Sequence, residues 1–183
     1  MIVLSEQEII QNLKKKDKTV FLDIVNLYKK KIISLCYTYT NDYQEAEDLS
    51  QEVFISLYNS IDRFREECSL STYIYKITIS RCLDYKRKRS IKGFLTGLLN
   101  SYGQDNVDHD EKRYIRENVN KLHEDLKVPI ILYYFIGLSQ KEISEIVNIS
   151  EKAVEGRIYR AKQKLKVEFE KEGYSLCRKS EIV

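Results

Sequence analysis

The sequence predicts an all-α protein made of two small helical domains joined by a flexible linker. Only 6 of its 183 residues are glycine and 1 is proline, whereas an all-β sandwich needs those residues at its many turns. Apolar residues recur at helical spacing on both sides of a segment rich in glycine and asparagine. With 43% hydrophobic and 32% charged residues, the chain can bury real cores and remain soluble.

Helical periodicity divides the chain into four segments. Residues 1–89 are predicted to form the first domain, where one apolar stripe consists of Leu22, Ile24, Val25, Tyr28, Ile32 and Leu35. Residues 90–112 are predicted to be the linker, because three glycines fall there among Asn, Ser and Asp. Residues 113–173 are predicted to form the second domain, and residues 174–183 a frayed polar tail.

Several classes of protein are not expected. No stretch approaches the roughly 20 apolar residues of a spanning helix, and the first residues become acidic too early for a signal peptide. We therefore expect a cytoplasmic protein. The four cysteines form no Cys-x-x-Cys pair and the two histidines are distant from them, so neither a metal site nor a cofactor is predicted, and the thiols are expected to be reduced.

Charged residues are segregated along the chain, although the net charge is only +3. Residues 41–52 contain five acidic residues and no basic one. Residues 81–92 contain six basic residues and one acidic residue, and residues 151–166 contain six basic and two acidic residues. Two basic blocks indicate two contacts with a polyanion, and the acidic block indicates a basic partner; the alternative is that these helix faces are only solvated.

The second basic block lies in a predicted helix-turn-helix. Ser139 and Glu142 have the spacing of a capping box, so a short helix is expected to begin there. Asn148-Ile149-Ser150 is a tight connector, and Ser150 can cap the next helix. That next helix has a basic face and an apolar face of Val154, Ile158, Ala161 and Leu165. The pattern is typical of duplex-DNA binding, the alternative being a helical hairpin with a solvated basic face.

Two segments of the first domain also have functional patterns. Helical spacing places Asp48, Gln51 and Glu52 together, opposite a stripe of Ala46, Leu49, Val53 and Leu57. Two carboxylates and an amide form a surface for basic residues of a partner. Residues 71–88 interleave aromatic and basic side chains, which suits unpaired nucleic acid because rings stack on bases while cations follow the backbone. The alternative for the tyrosines there is packing in the core.

With these motifs in this order, the sequence resembles the extracytoplasmic-function (ECF) sigma factors, a family of two-domain bacterial transcription initiation factors. The run EAEDLSQEVF from Glu45 to Phe54 is similar to the most characteristic run of the family's region 2. Residues 139–165, which end in RIYRAKQKL, are similar to the helix-turn-helix of region 4. The resemblance implies a region 2 domain over residues 1–89 and a region 4 domain over residues 113–173.

The resemblance further implies two partners, core RNA polymerase and promoter DNA, and three groups of contact residues. The polymerase clamp would bind Asp48, Gln51 and Glu52. The loop beginning near residue 63 and the helix after it would melt and read the minus-ten element and hold a flipped base, with contacts from Arg63, Phe64, Arg65, Tyr73, Lys76, Ser80, Arg81 and Arg87. The minus-thirty-five element would contact Lys152, Glu155, Gly156, Arg157, Tyr159 and Arg160. An anti-sigma factor that clamps both domains, and can hold the protein at the membrane, is also implied.

Some positions differ from the family pattern. Tyr73 stands where Trp is usual and Ser80 where Asn is usual, but Tyr still stacks and Ser still forms hydrogen bonds, so DNA melting is expected. Leu122-His123 and Lys127 replace Leu-Pro and Arg at packing and capping positions. Glu155 replaces a residue that is more often basic or polar, so the promoter sequence is not predicted.

Two functions other than that of a sigma factor would account for part of the sequence. A helix-turn-helix regulator that binds duplex DNA without polymerase would explain residues 139–166, but not the acidic surface or the aromatic and basic helix. A serine recombinase would need a nucleophilic serine in an α/β domain with supporting arginines. No arginine precedes Arg63, and the N-terminal half lacks strand-like alternation. We therefore predict that the protein is not an enzyme.

Overall fold

The computed structural model describes residues 4–96 and 110–171, and these belong to two compact units, one for each range. Every regular element within the two ranges is helical, which confirms the predicted all-α class. No helix in these ranges is long and apolar enough to cross a membrane. The predicted tail, residues 174–183, and the interior of the predicted linker lie outside the described residues.

The first unit consists of four helices: α1 (Glu6–Lys14), α2 (Lys18–Thr40), α3 (Tyr43–Ser60) and α4 (Leu70–Thr96). Helices α2, α3 and α4 pack against one another, and α1 packs against α2. A 3₁₀ turn (Ile61–Arg63) follows α3 and leads into an irregular loop that ends where α4 begins. The functional residues predicted in this half of the chain all lie on α3, in the 3₁₀ turn, in that loop or on α4.

Local sequence determines where the helices begin and end. The Asp17 carboxylate accepts hydrogen bonds from the first backbone N–H groups of α2, and the Asp42 carboxylate does the same for α3. Asn41 ends α2 in the left-handed conformation, with φ of 55°, which Asn adopts more readily than most residues. The α2–α3 corner therefore takes only two residues and brings the two helices into contact.

The core of the first unit contains most of the predicted apolar stripes. Ile32, Leu35, Val53 and Leu57 are buried, as helical spacing predicted. Leu22 does not follow the prediction: it is 58% exposed, because its position on α2 points away from α3 and α4 while Ile24 takes the buried side. Cys36 and Cys82 lie in this core, on α2 and α4, as thiols that are not joined in a disulfide, with 4.0 Å between their sulfur atoms.

Helix α4 continues past the predicted start of the linker at residue 90 and ends at Thr96. The segment contains one helix-weakening residue, Gly93, among good helix formers such as Lys92 and Leu95. A single interior glycine costs only about 1 kcal/mol relative to alanine, which does not end a helix that is already formed. Helix α4 thus extends into the segment predicted as linker, and α5 begins at Asp110, before the predicted domain start at residue 113.

The second unit consists of α5 (Asp110–Lys121), α6 (Glu124–Ile131), a π-helical turn (Leu132–Ile136), α7 (Gln140–Val147) and α8 (Glu151–Lys171). Helix α8 packs against α5, α6 and α7. Its apolar face is buried as predicted, through Val154, Ile158, Ala161 and Leu165. His123 caps α6, because its Nδ1 accepts a hydrogen bond from the Asp125 N–H at 3.4 Å, so the residue that replaces the family's proline still serves a capping position.

Candidate nucleic-acid interface

The outer side of α3 is an acidic surface formed by Asp48, Gln51 and Glu52. All three side chains are exposed, while the opposite side of the same helix is buried through Ala46, Leu49, Val53 and Leu57. Helical spacing predicted this division, because residues three and four apart share a face. Two carboxylates in solvent with a neighbouring amide attract basic side chains of another molecule.

An apolar groove lies between α2 and α3, beside the acidic surface, and the sequence analysis did not identify it. Its volume is about 500 Å³, and it is lined by Lys18, Phe21, Val25, Gln51, Phe54, Ile55 and Tyr58. Ile55 is 60% exposed at its edge. The sequence does contain one indication of this groove. Ile55 is apolar, yet it follows Gln51 and Glu52 by one helical turn on the solvent side of α3. The exposed side of α3 is thus acidic near its centre and apolar toward its C-terminal end.

A second groove, between the C-terminal half of α3 and the N-terminal half of α4, collects most of the residues predicted to contact minus-ten DNA. This α3–α4 groove has a volume of about 800 Å³. Five of the eight predicted residues line it: Arg63, Tyr73, Lys76, Ser80 and Arg81. The lining also includes Asn59 and Ser56, which the sequence analysis missed, and the acids Glu52 and Asp84.

Tyr73 is the aromatic residue of the α3–α4 groove, and two contacts hold its ring. The ring stacks on Phe64, with 4.5 Å between centroids and 24° between the planes. The Tyr73 hydroxyl donates a hydrogen bond to Ser60 Oγ at 2.8 Å. Phe64 itself is only 6% exposed, and its ring supports that of Tyr73. Direct contact of Phe64 with DNA stays a prediction from the sequence.

Besides Phe64, two predicted residues are not part of the lining of the α3–α4 groove. Arg65 is an exposed residue of the loop, and its Nη1 lies 4.0 Å from Glu67 Oε1. Arg87 is exposed on α4 and forms an ion pair with Asp84, whose side chain lines the groove. Both arginines remain accessible to a phosphate backbone that passes along the edge of the groove, and neither side chain lines the groove itself.

The basic block of residues 81–92 is partly neutralised within the first unit. Arg89 Nη1 donates hydrogen bonds to the Thr40 carbonyl at 3.1 Å, to the Tyr85 hydroxyl at 2.9 Å and to Glu45 Oε2 at 3.3 Å. Burial, and then the hydrogen bond that Tyr85 donates to Glu45, raise the pKa of Tyr85 to about 12. Counting charges along the sequence therefore overstates the positive charge that this block offers to a polyanion.

The second unit contains the predicted helix-turn-helix, formed by α7, a three-residue turn and α8. Ser139 Oγ accepts a hydrogen bond from the Glu142 N–H at 3.2 Å, and the Glu142 carboxylate accepts one from the Ser139 N–H at 2.8 Å, which confirms the capping box. Asn148 ends α7 with φ of 53°. Ser150 Oγ accepts from the Ala153 N–H at 3.2 Å and caps α8, as predicted.

Of the α8 side chains predicted to contact DNA, four are exposed and one is partly buried. Lys152, Glu155, Tyr159 and Arg160 are exposed, with Tyr159 at 62%. The Arg157 side chain is 26% exposed, and its Nη1 lies 3.5 Å from Asp125 Oδ1 on α6. Asp125 was not predicted as a site residue. Arg157 is therefore oriented by α6, and the other four residues face solvent without such a link to α6.

Gly156 is an interior glycine of α8 that the fold itself does not require. A Cβ atom added there would have Arg160 Nη1 as its nearest neighbour, at 3.5 Å, which is an ordinary contact with the end of a flexible side chain. Glycine in a helix interior costs about 1 kcal/mol relative to alanine. The glycine is thus unfavourable for the helix and is not required by the side chains around it, and it leaves the backbone of α8 uncovered at this position.

Comparison with known proteins identifies the class to which this fold and these surfaces belong. The family model of Sigma-70 region 2 matches residues 24–91, and that of Sigma-70, region 4, matches residues 112–165. Because the two matches cover most of the chain, the protein belongs to the sigma-70 family.

The relatives narrow this class. The ECF RNA polymerase sigma factor SigW of Bacillus subtilis is 35% identical over 173 residues, covering 86% of this chain and 92% of the relative. The ECF RNA polymerase sigma-E factor of Escherichia coli K12 is 27% identical over 176 residues, covering 87% and 92%. The chain is therefore an alternative sigma factor of the ECF type. Its relatives are sigma factors, which are not enzymes. The alternative function, a helix-turn-helix regulator that binds duplex DNA without polymerase, is not favoured.

Two solved structures share the fold. CnrH, in complex with the cytosolic domain of CnrY, has a TM-score of 0.72 at 19% identity, covering 91% of this chain and 97% of that chain. RpoE of Bartonella quintana, in complex with the anti-sigma factor NepR, has a TM-score of 0.70 at 18% identity, covering 82% and 96%.

Proposed function

We propose that the acidic surface of α3 binds core RNA polymerase and that the α3–α4 groove takes the melted strand of promoter DNA. The observation that supports this most directly is the position of Glu52, which belongs to the acidic surface and also lines the groove. A polymerase element on the acidic surface would lie directly beside the groove. Polymerase binding and strand capture would then be coupled, which a regulator of duplex DNA does not need.

The chemistry of the α3–α4 groove suits unpaired DNA. Tyr73 offers a ring held by Phe64 and Ser60, and stacking of a base on an aromatic side chain is worth about 1–3 kcal/mol. Arg63, Lys76 and Arg81 supply positive charge for the phosphates around that ring. We assign minus-ten recognition to these four residues together with Ser80, with Arg65 and Arg87 at the edge.

We assign minus-thirty-five recognition to the exposed face of α8, which includes Lys152, Glu155, Tyr159 and Arg160. A helix of a helix-turn-helix fits the major groove, where arginine reads guanine edges and lysine binds phosphates. Gly156 lets the backbone of α8 approach DNA closely, and Arg157, oriented by Asp125, contacts the edge of the same surface.

We further propose that an anti-sigma factor controls this protein in the cytoplasm and can hold it at the membrane. CnrH and RpoE, which share the fold, are in complexes with the cytosolic domain of CnrY and with the anti-sigma factor NepR. A partner that covers the acidic surface would prevent polymerase binding, and one that covers the α8 face would prevent duplex binding. Basic residues on the partner would complement the acidic surface.

The experiment that tests the proposal is a binding assay with purified bacterial core RNA polymerase. Wild-type protein is compared with Asp48→Arg/Glu52→Arg and with a control that reverses two exposed acids elsewhere, Asp23→Arg/Glu170→Arg. Loss of binding only in the first double variant supports the assignment of the acidic surface, because the control has the same change in net charge. Equal binding by all three proteins would refute that assignment, and a folded wild type that does not bind would refute the proposal as a whole.

A further inference from the structure

The loop of residues 61–69, between α3 and α4, is tied to the N-terminal segment by two ion pairs. Lys14 Nζ lies 2.6 Å from Glu66 Oε1, and Lys16 Nζ lies 2.8 Å from Asp62 Oδ2. All four side chains are partly exposed. Exposed pairs add little to the stability of a fold, but the Lys14–Glu66 pair joins the loop to a segment 52 positions away in the sequence.

A third contact joins α1 to the end of this loop. The Glu6 carboxylate accepts a hydrogen bond from the Leu70 backbone N–H at 2.7 Å, although the two residues are 64 positions apart. Leu70 is the first residue of α4, where backbone N–H groups have no partner within the helix. Helix α1 is itself anchored by the buried side chains of Ile10 and Leu13, so Glu6 holds the start of α4 from a fixed position.

The ion pairs join the two segments at residues with unusual backbone conformations. Lys16, in the turn after α1, has φ of 61°, and Glu66, in the loop, has φ of 62°. Residues other than glycine adopt this left-handed region uncommonly. Each of the two pairs contains one of these residues. The pairs therefore connect the positions where each segment would most readily relax to another conformation.

The loop also forms part of the α3–α4 groove. Arg63 lines that groove, and the next residue, Phe64, supports the ring of Tyr73. A displacement of the loop would move the arginine and remove the support of the aromatic ring together. Helix α1 precedes the residues matched by the region 2 family model, which begins at residue 24.

We infer that α1 and the turn after it position this loop for promoter opening, with Glu6, Lys14 and Lys16 as positioning residues that do not touch DNA. The inference rests on the proposed role of the α3–α4 groove in binding the melted strand. It assigns to the N-terminal segment a part in opening DNA that is separate from polymerase binding, since the acidic surface of α3 is formed without it.

The test exchanges the charges of one pair in the full-length protein assembled with core RNA polymerase. Lys14→Glu and Glu66→Lys each break the pair, and the double variant restores it in reverse. Lys15→Glu, at an exposed residue of the same turn, is the control for charge. Promoter duplexes are selected from a randomised library with the wild-type holoenzyme. Opening is followed by the permanganate reactivity of thymines near the transcription start site, which are paired at the outset both in the duplex and in the same promoter with a pre-melted minus-ten segment.

We expect each single variant to open the duplex about threefold to tenfold more slowly, the double variant to recover most of the rate, and Lys15→Glu to behave as wild type. The defect should shrink on the pre-melted promoter, and binding to core polymerase should not change. A fold defect would not be repaired by pre-melting. As a second measurement, Glu6→Ala should slow opening, whereas Glu6→Gln, which keeps an acceptor oxygen, should not.

Additive effects of the two charge changes would overturn the inference, because a positioning pair must show coupling. If no N-terminal variant changes the rate of promoter opening, in a holoenzyme that opens its promoters, the inference is overturned and the proposed function stays intact. Failure of the wild type to bind core polymerase or to select any promoter is a different result, which overturns the proposed function and this inference with it.

Discussion

The two candidate DNA-binding surfaces differ in shape and in how they are built. The α3–α4 groove is concave and is assembled from a helix, a loop and a second helix, with an aromatic ring already stacked on Phe64. The α8 face is convex and belongs to one capped helix. A concave groove with a prepared ring can accept a base only after it leaves the duplex, whereas a convex helix fits the major groove of an intact duplex. Melting of DNA and reading of an intact duplex therefore call for surfaces of different shape.

The two surfaces also differ in the use of charge. In the first unit, Arg89 is bound to Glu45 and Tyr85, and Arg87 is paired with Asp84. On α8, Lys152 and Arg160 face solvent. Internal partners limit indiscriminate binding to phosphates, so we expect the first unit to depend more on stacking and the second more on cations.

The largest expected effect is on the aromatic ring of the groove. Tyr73→Ala removes the surface on which a base would stack, and stacking is worth about 1–3 kcal/mol. We therefore expect promoter opening to fall about fivefold to a hundredfold, measured by 2-aminopurine fluorescence in the minus-ten element. Binding of a minus-thirty-five duplex by α8 should not change.

Tyr73→Phe is the matched control, because it keeps the ring and removes only the hydrogen bond to Ser60. Most of the opening activity should remain in this variant. If Tyr73→Phe and Tyr73→Ala are equally defective, the hydroxyl group matters and stacking does not, and the contrast between the two surfaces loses its basis.

A smaller effect, with opposite signs in two assays, is expected at Gly156. Gly156→Ala should raise the free energy of unfolding by about 1 kcal/mol, because alanine favours the helix and the added Cβ meets nothing closer than 3.5 Å. The same methyl group should weaken duplex binding by about 1 kcal/mol, the lower end of the usual cost of overpacking a close contact. Thermal unfolding and fluorescence anisotropy measure the two quantities. A variant that is more stable and binds DNA equally well would show that the backbone of α8 does not approach DNA at this position.

The smallest effect is expected at Tyr85, which forms hydrogen bonds with Glu45 and with Arg89 of the basic block of residues 81–92. The pKa of Tyr85 is raised to about 12 in the folded protein, above its usual value of about 10. The unfolded chain therefore loses this proton at lower pH than the folded chain, so the contribution of Tyr85 to stability is present below pH 10 and is lost as pH rises toward 12. Tyr85→Phe should flatten this part of the stability profile, measured by urea unfolding. An unchanged slope in the variant would contradict the assigned cause.

Sequence reasoning was most successful in the second unit because its signals are local. The Ser139 capping box, the Asn148-Ile149-Ser150 turn and the apolar face of α8 each depend on residues within a few positions of one another. Helical spacing similarly predicted that Asp48, Gln51 and Glu52 share a surface. The residue roles attached to these features remain proposals.

Reasoning from sequence was less complete in the first unit because its groove depends on contacts between distant residues. The burial of Phe64 could not be predicted, because it results from the ring of Tyr73 on the next helix. The bond between Arg89 and Glu45 joins residues 44 positions apart. Leu22 matched an apolar stripe and is nevertheless exposed, since spacing identifies a face of a helix and not what packs against it.

Short segments of the chain are enough to specify most helix caps and the charge of each helix face, because these follow from backbone hydrogen bonding and helical periodicity. The fold is needed to know which charges are paired internally, which rings are covered, and that Glu6 accepts a hydrogen bond from the start of a helix 64 residues away. Hydrogen bonds and ion pairs between distant segments form only when the packed core brings their atoms within about 3 Å. The proposed positioning of the loop by α1 is therefore a property of the folded unit alone.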